Sequence, residues 1–277
     1  MPSTEIQDVN ILVTLDKNYI PQLNVMLSSL IYSNPQCRFT VYLLHSSIED
    51  KDLTETRRIL KQSGCLVSVK AKEIGLENAP VTSRYPQEIY YRIFAAKYLP
   101  DELDRVLYLD PDIIVNGSIL DLYHIPMENY YFAAASHIGD FMHKINEFRL
   151  DMDEESPYVN SGVMLMNLER LRKEQNYEDV FRFIEKQKSK LILPDQDIIS
   201  SLYGTKIYEI NSFRYNMTES MYQKHSMFEK DLNLQWVREN SVIIHYCGRN
   251  KPWKDTYIGQ LNIFYNETVD RMQIEKN

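Results

Sequence analysis

The sequence predicts an α/β protein built on a mostly parallel sheet with helices on both faces. Three observations lead there. Strand-like apolar runs alternate with helical patterns from residue 10 to residue 109. The run Val106–Leu109 is apolar throughout, as suits a strand covered on both sides. The chain has 277 residues, 44% hydrophobic and 25% charged, enough for a large core.

The elements follow in order. "NILVTL" (10–15) reads as a strand. "PQLNVMLSSLIYSN" (21–34) reads as a helix, with Pro21 in its first turn and Leu23, Met26, Leu27 and Leu30 on one face. "RFTVYLLH" (38–45) is a second strand. "SIEDKDLTETRRILKQSG" (47–64) is an amphipathic helix stopped by Gly64. "LVSVKA" (66–71) is a third, alternating strand. "EIYYRIFAAKYL" (88–99) is a helix stopped by Pro100, and a fourth strand then runs into Asp110. No Gly/Ser tract, repeat or block of like charge marks a linker. One domain over 1–255 is expected, with 256–277 a tail that belongs to it or lies at its edge.

A net charge of −8 disfavours nucleic acid as a partner, though not a local basic pocket for a phosphate ligand. The first ten residues lack the apolar core of a signal peptide, and no apolar run approaches the ~18 residues of a spanning helix. Cys37, Cys65 and Cys247 are scattered, which suits a reducing cytoplasm. Cys247 reads as a packed thiol. Asn116-Gly-Ser, Asn216-Met-Thr and Asn266-Glu-Thr read as chance matches to a glycosylation pattern. The oligomeric state is not legible.

"VLYLDPDIIV" (106–115) poses the chemical question. Pro111 has no amide hydrogen, so the strand should end at Asp110. In extended chain residues i and i+2 point the same way, so Asp110 and Asp112 can converge. Paired carboxylates repel unless a proton or a cation lies between them, and a hard divalent ion suits oxygen ligands. A plain Asp-Pro-Asp turn is the simpler reading of the motif alone. In doubly wound sheets ligands sit at the carboxyl ends of strands, which places Asp16 on the same edge as this pair. Near the early strand ends only Gly64 and Gly75 occur. The absence of G-x-G-x-x-G and of G-x-x-x-x-G-K-[ST] after the first strand argues against a dinucleotide fold and a P-loop.

Other stretches carry functional groups. "VIIHYCGRNKPW" (242–253) is an apolar strand running into His245, Gly248 and Lys251. A hydrogen-bonded structural histidine is the ordinary reading of His245, and a metal ligand the sharper one. "YVNSGVMLMNL" (158–168) sets Asn160, Ser161 and Gly162 before a strand, either as a turn or as a floor for a sugar-sized ligand. "LPDQDIIS" (193–200) begins a helix with Asp195 where an N-cap would stand.

Taken together, "LDKNY", "YYRIFAAKYLP", "VLYLDPDIIV", "VNSGVMLMNL", "PDQDII" and "HYCGRNKPW" resemble glycosyltransferase family 8, retaining enzymes that use UDP-glucose or UDP-galactose. The resemblance covers roughly residues 9–255. It implies a Rossmann-like nucleotide-sugar transferase domain of the GT-A type. It implies a D-x-D metal site of Asp110 and Asp112 with His245 as third ligand, taking Mn2+, or Mg2+ in its place. Asp16 and Asn18 match nucleotide contacts. Arg92 and Asp195 match groups that hold the donor sugar, with Asn160 and Ser161 against it. Gly248 and Lys251 match diphosphate contacts, and Gln196 the residue nearest the reacting face of the sugar. The implied acceptor is a hydroxyl of a cell-surface or lipid-linked glycan, with 138–158 as a candidate acceptor segment. A cytoplasmic location is expected, with peripheral attachment at the inner membrane face left open; the short tail of mixed charge gives attachment no support.

One departure concerns the donor. Related galactosyltransferases carry an aspartate where this chain has His137, and Asp140 substitutes only if the loop shifts. Retention usually means a carboxylate nucleophile, and the matching Gln196 is an amide. Front-face substitution is therefore expected, with double displacement through Asp195 or Asp197 as the alternative. Two rival functions are a haloacid-dehalogenase-type phosphatase, whose D-x-D normally ends the first strand rather than the fourth, and a UDP-sugar-binding protein without turnover.

Overall fold

The computed structural model describes residues 6–71, 79–81, 86–229 and 231–274. Gly75 lies outside them. Nine strands form among the described residues: β1 (Gln7–Thr14), β2 (Cys37–His45), β3 (Gly64–Lys70), β4 (Arg105–Leu109), β5 (Ile113–Val115), β6 (Phe132–Ala134), β7 (Val163–Asn167), β8 (Ile207–Glu209) and β9 (Ile243–His245). Seven of them make one sheet in the order β3-β2-β1-β4-β7-β6-β8. β1 pairs in parallel with both β2 and β4, and β2 in parallel with β3. β7 runs antiparallel to its neighbours β4 and β6, while β6 and β8 are parallel. The expected mostly parallel α/β architecture is present.

The strand order creates the site. The chain moves outward from β1 through β2 to β3, then returns to place β4 on the other side of β1. The two connections leave β1 in opposite directions, so a crevice opens beyond the carboxyl ends of β1 and β4. The core occupies both faces, as alternation within the strands requires. Ile11, Val13, Leu107 and Leu109 join Leu23, Leu27 and Leu30 of the helix Ile20–Ser33 on one face. Leu12, Val106 and Tyr108 join Tyr90, Phe94 and Ile198 on the other.

Several elements differ from the sequence reading. The helix expected over 47–64 is a 3₁₀ turn (Asp50–Leu53) followed by a short helix (Thr54–Leu60). Gly64 does not stop it. It opens β3 at φ +156°, where a Cβ would stand 1.9 Å from the Phe39 carbonyl oxygen, so only glycine fits. The helix over 88–99 is broken into two four-residue turns around a 3₁₀ segment, Arg92–Phe94. β4 ends at Leu109, and the Asp110 amide donates to the Gly162 carbonyl at 2.8 Å.

Outside the main sheet, β5 and β9 form an antiparallel pair. Ile114, Ile244 and Tyr246 pack there with Leu261 and Phe264, the latter on the helix Asn262–Ile274. No helix among the described residues is long and apolar enough to cross a membrane.

Candidate active site

The register of β5 against β9 assembles the first cluster. Ile113 lies opposite His245, so the residue before Ile113 meets the histidine ring. His245 Nε2 lies 3.2 Å from Asp112 Oδ1 and 3.6 Å from Asp110 Oδ2. One ligand atom from each of the three residues falls within a 4.8 Å span. His245 is 2% exposed, and its Nε2 is buried without a hydrogen-bond partner. An orphaned imidazole nitrogen facing two carboxylates fits a divalent cation with mixed nitrogen and oxygen ligands. Gly162 is part of the same fit. A Cβ there would come within 2.3 Å of His245 Cε1 and 2.7 Å of Asp110 Oδ2, so any larger residue would displace these two groups.

Lys251 stands on the opposite side of Asp112. Its ammonium group contacts Asp112 Oδ2 and donates to the Tyr246 carbonyl at 2.9 Å. Burial opposes the charge of Asp112, but the neighbouring Lys251 ammonium leads the effects that outweigh it and hold the carboxyl below the usual range. Burial likewise works against the Lys251 ammonium, and Asp112 outweighs it and raises the amine.

A second cluster surrounds Arg92, which is 5% exposed. Its Nη1 lies 3.1 Å from Asp110 Oδ1 and 3.2 Å from Asp195 Oδ2, and its guanidinium sits 4.3 Å from the centre of the Tyr108 ring. Burial disfavours the guanidinium charge, but Asp110, Tyr108 and Asp195 outweigh it. Tyr108 donates to Asp110 Oδ1 at 2.6 Å, and Ser161 Oγ donates to Asp195 Oδ2 at 2.6 Å. Burial raises the Asp195 carboxyl; Arg92 and Ser161 partly offset that. Asp195 is not the N-cap expected of it. Leu193 holds that position and Pro194 begins the helix Pro194–Tyr203, which frees the Asp195 carboxylate to face Arg92.

Gln196 is fixed from its oxygen side. Oε1 accepts from Asn160 Nδ2 at 2.8 Å and from the Ser161 amide at 3.4 Å. Asp197 turns the other way. It is fully buried and accepts from Arg149 at 2.8 and 2.9 Å, from Tyr158 Oη at 2.7 Å and from the amides of Ile192 and Leu193 at 2.7 and 3.2 Å. With its oxygens so engaged, Asp197 is a brace for the loop before the helix rather than the alternative nucleophile the sequence allowed.

These clusters line one cavity of about 440 Å³. Of the residues singled out from the sequence, Asp16, Arg92, Asp110, Asp112, Asn160 and Ser161 line it. So do Asp195, Gln196, His245, Gly248 and Lys251. Asn18 stands apart on an adjoining hollow formed with Tyr19, Gly248, Lys251 and Trp253. One Asp16 oxygen accepts from the Asn18 amide at 2.7 Å, capping the 3₁₀ turn after β1. Gly248 has φ +87° with nothing near its missing Cβ, so backbone conformation, not crowding, calls for glycine there. Cys247, expected to be packed, is exposed and lines the cavity.

His137 also lines the cavity, whereas Asp140 begins the exposed end of the helix Asp140–Leu150 and does not. The half-buried His137 ring donates from Nε2 to the Asn216 carbonyl at 2.9 Å. Burial pushes its pKa down to about 4, so a neutral ring occupies this position near neutral pH. Three residues at the site were not singled out from the sequence: Tyr19, which lines both hollows, Tyr108 and Asn216. Tyr108 looked like core, because its ring packs there and only the hydroxyl reaches Asp110. Asn216 carried only a glycosylation-like pattern.

Known proteins are similar to this chain in sequence and in fold. The chain is 27% identical over 258 residues to lipopolysaccharide 1,2-glucosyltransferase of Escherichia coli, covering 91% of this chain and 75% of that one. It is 25% identical over 250 residues to lipopolysaccharide 1,3-galactosyltransferase of Salmonella typhimurium, covering 88% and 72%. Its fold matches the crystal structure of galactosyltransferase LgtC in complex with donor and acceptor sugar analogs. That match has a TM-score of 0.80 at 20% identity, over 95% of this chain and 96% of that one. The profile of glycosyl transferase family 8 matches residues 10–257. The GT-A architecture, the crevice at the ends of β1 and β4 and the span of that match agree: the chain belongs to glycosyltransferase family 8.

Proposed function

We propose that the protein transfers a hexose from a UDP-sugar to a hydroxyl of a glycan or lipid-linked glycan, with retention at the anomeric carbon. The observation that carries this reading is the convergence of Asp110, Asp112 and the orphaned His245 Nε2 at the floor of a cavity that also holds Arg92, Gln196 and Lys251. Asp110, Asp112 and His245 would hold a divalent cation, Mn2+ by preference. Bound there, it would neutralise the charge that develops on the diphosphate leaving group.

The chain's own residues do the rest. Asp16, Asn18 and Tyr19 receive the nucleoside. Lys251 and the open backbone at Gly248 receive the diphosphate, with Lys251 exchanging part of its contact with Asp112 for phosphate oxygens. Arg92, held by two carboxylates, orients the sugar hydroxyls together with Asp195 and Ser161. Gln196 presents an amide to the reacting face of the sugar. Its oxygen already accepts two hydrogen bonds, so it is a weak nucleophile. Front-face substitution follows, in which the acceptor oxygen bonds to the anomeric carbon as the bond to UDP breaks. The acceptor proton passes to the departing phosphate oxygen. The segment 138–158 supports the acceptor reading, since its helix leaves Phe141, Ile145 and Phe148 exposed close in sequence to cavity-lining His137 and Ile138.

The test is incubation with a panel of UDP-sugars, with Mn2+ and with EDTA, scoring UDP release. UDP-glucose is expected to exceed UDP-galactose modestly, because His137 replaces an acidic group. Metal-dependent release from neither sugar would overturn the reading. Phosphate release from simple phosphomonoesters would favour the phosphatase. Tight UDP-sugar binding without release, across added acceptors, would favour the binding protein.

A further inference from the structure

We infer that Asn216 is a positioning residue that fixes the proton on His245 and so points the bare Nε2 at the two carboxylates. The inference rests on the cation reading of Asp110, Asp112 and His245. The backbone puts Asn216 in place. It follows the short helix Ser212–Tyr215. The next residue, Met217, bridges β9: its amide donates to the Ile243 carbonyl at 3.0 Å, and its carbonyl accepts from the His245 amide at 2.8 Å. Asn216 itself is fully buried.

The hydrogen bonds around it leave one consistent assignment of donors and acceptors. The Gly162 amide can only donate, and it reaches Asn160 Oδ1 at 3.1 Å. That atom is therefore the oxygen of Asn160. The atom of Asn216 that meets it, at 3.1 Å, must be the nitrogen Nδ2. The remaining atom, Asn216 Oδ1, can only accept, and it lies 2.9 Å from His245 Nδ1. His245 must carry its proton on Nδ1. In a neutral ring Nε2 is then an unprotonated lone pair, and it faces Asp110 and Asp112 without a protein donor. The same relay continues from Asn160 Nδ2 to Gln196 Oε1. Two side-chain amides, Asn216 and Asn160, thus tie His245 to Gln196. Partners of this kind orient metal-ligating histidines and typically change metal affinity 10–100-fold when removed.

The experiment is a Mn2+ titration followed by electron paramagnetic resonance, without and with UDP, on wild type, Asn216→Ala, Asn216→Asp and His245→Ala. The expected result is binding to wild type, loss in His245→Ala and an affinity about 10–100-fold weaker in Asn216→Ala. Asn216→Asp keeps an acceptor for Nδ1 and is expected to stay within about threefold of wild type. It loses the donor to Asn160 and so lowers turnover at saturating Mn2+. No binding to wild type in either condition removes the cation reading, and this inference with it. Binding to wild type that Asn216→Ala leaves unchanged, or that Ala and Asp weaken equally, overturns the inference alone. Nitrogen-15 shifts of the His245 ring in metal-free wild type give a second readout that needs no variant. A proton found on Nε2 also overturns it.

Discussion

Asp110 and Asp112 differ in what surrounds them, although the motif presents them as a pair. Asp110 is shared by Arg92 and Tyr108, and Asp112 by Lys251 and His245. Both sit at the cavity rather than in a packed core, so neutral replacements should fold. Asp110→Asn or Asp112→Asn is expected to lower kcat by about 10²-fold or more, as the proposed cation would lose a charged ligand. Circular dichroism and UDP release measured together check this; a folded, fully active variant would reduce the motif to a turn. Gln196→Ala is expected to lose roughly 10–10³-fold, the effect of one oriented dipole, whereas loss of a covalent nucleophile would abolish transfer. Intact-mass spectrometry during turnover decides between these: a glycosylated Gln196 or Asp195 that forms and decays at the catalytic rate would establish double displacement. His137 predicts a pH effect. Burial lowers it from an ordinary 6.5 to about 4. Between those values the unfolded chain takes up a proton that the folded chain refuses, so stability falls as pH drops from 6.5 toward 4. His137→Asn should remove that part of the acid sensitivity. The melting temperature of wild type should therefore fall further than that of the variant between pH 7 and pH 5. Parallel curves would show that the ring is not held neutral.

At the scale of elements, side-chain periodicity and backbone geometry carried different information. The strands β2 and β4 and the helix Ile20–Ser33 followed from apolar pattern within a residue or so, because burial on a sheet face imposes that pattern directly; β1 begins three residues before the run read for it, through Gln7, Asp8 and Val9. Gly64 did not, because a glycine near a helix end and a glycine at a crowded strand start look alike in sequence. The carbonyl of Phe39 decides between them, and it comes from a strand some 25 residues earlier in the chain. Gly64→Ala is expected to cost about 1–3 kcal/mol, the usual range for a side chain forced into such a backbone conformation. Gly64 lies at the amino end of β3, on the sheet edge away from the cavity. Thermal unfolding should therefore register the change while kcat/KM at low temperature stays at the wild-type value. Similarly, the break of the predicted helix 88–99 at Arg92 has no glycine or proline to announce it. The 3₁₀ segment is visible only beside the two carboxylates that Arg92 engages.

At the scale of the whole molecule, the proposed donor site spans separate parts of the chain. The β1 and β4 ends, the β5–β9 pair and the start of the helix Pro194–Tyr203 each supply part of it. A ligand that bridges them binds only the folded state. UDP with Mn2+ should therefore raise the melting temperature, by the equivalent of about 2.7 kcal/mol at a hundredfold excess over Kd. GDP or NADH should fall short of it, and an equal shift in EDTA would remove the cation from the account.

The sequence by itself determined the fold class, the edge of the sheet where the cavity lies and the residue types gathered there. Those depend on local pattern and on the order of strands, and six short motifs in sequence order narrowed the family. Tertiary structure decided what each group faces. Asp197 and Asp195 are two residues apart in one helix, yet one braces a loop and the other meets Arg92, because successive helical residues point about 100° apart. Asn216 offered no local sign of its place because its partners His245, Asn160 and His137 come from three distant segments. Hydrogen bonds act over about 3 Å of space whatever the separation along the chain, so roles of this kind arise only when the sheet has brought those segments together.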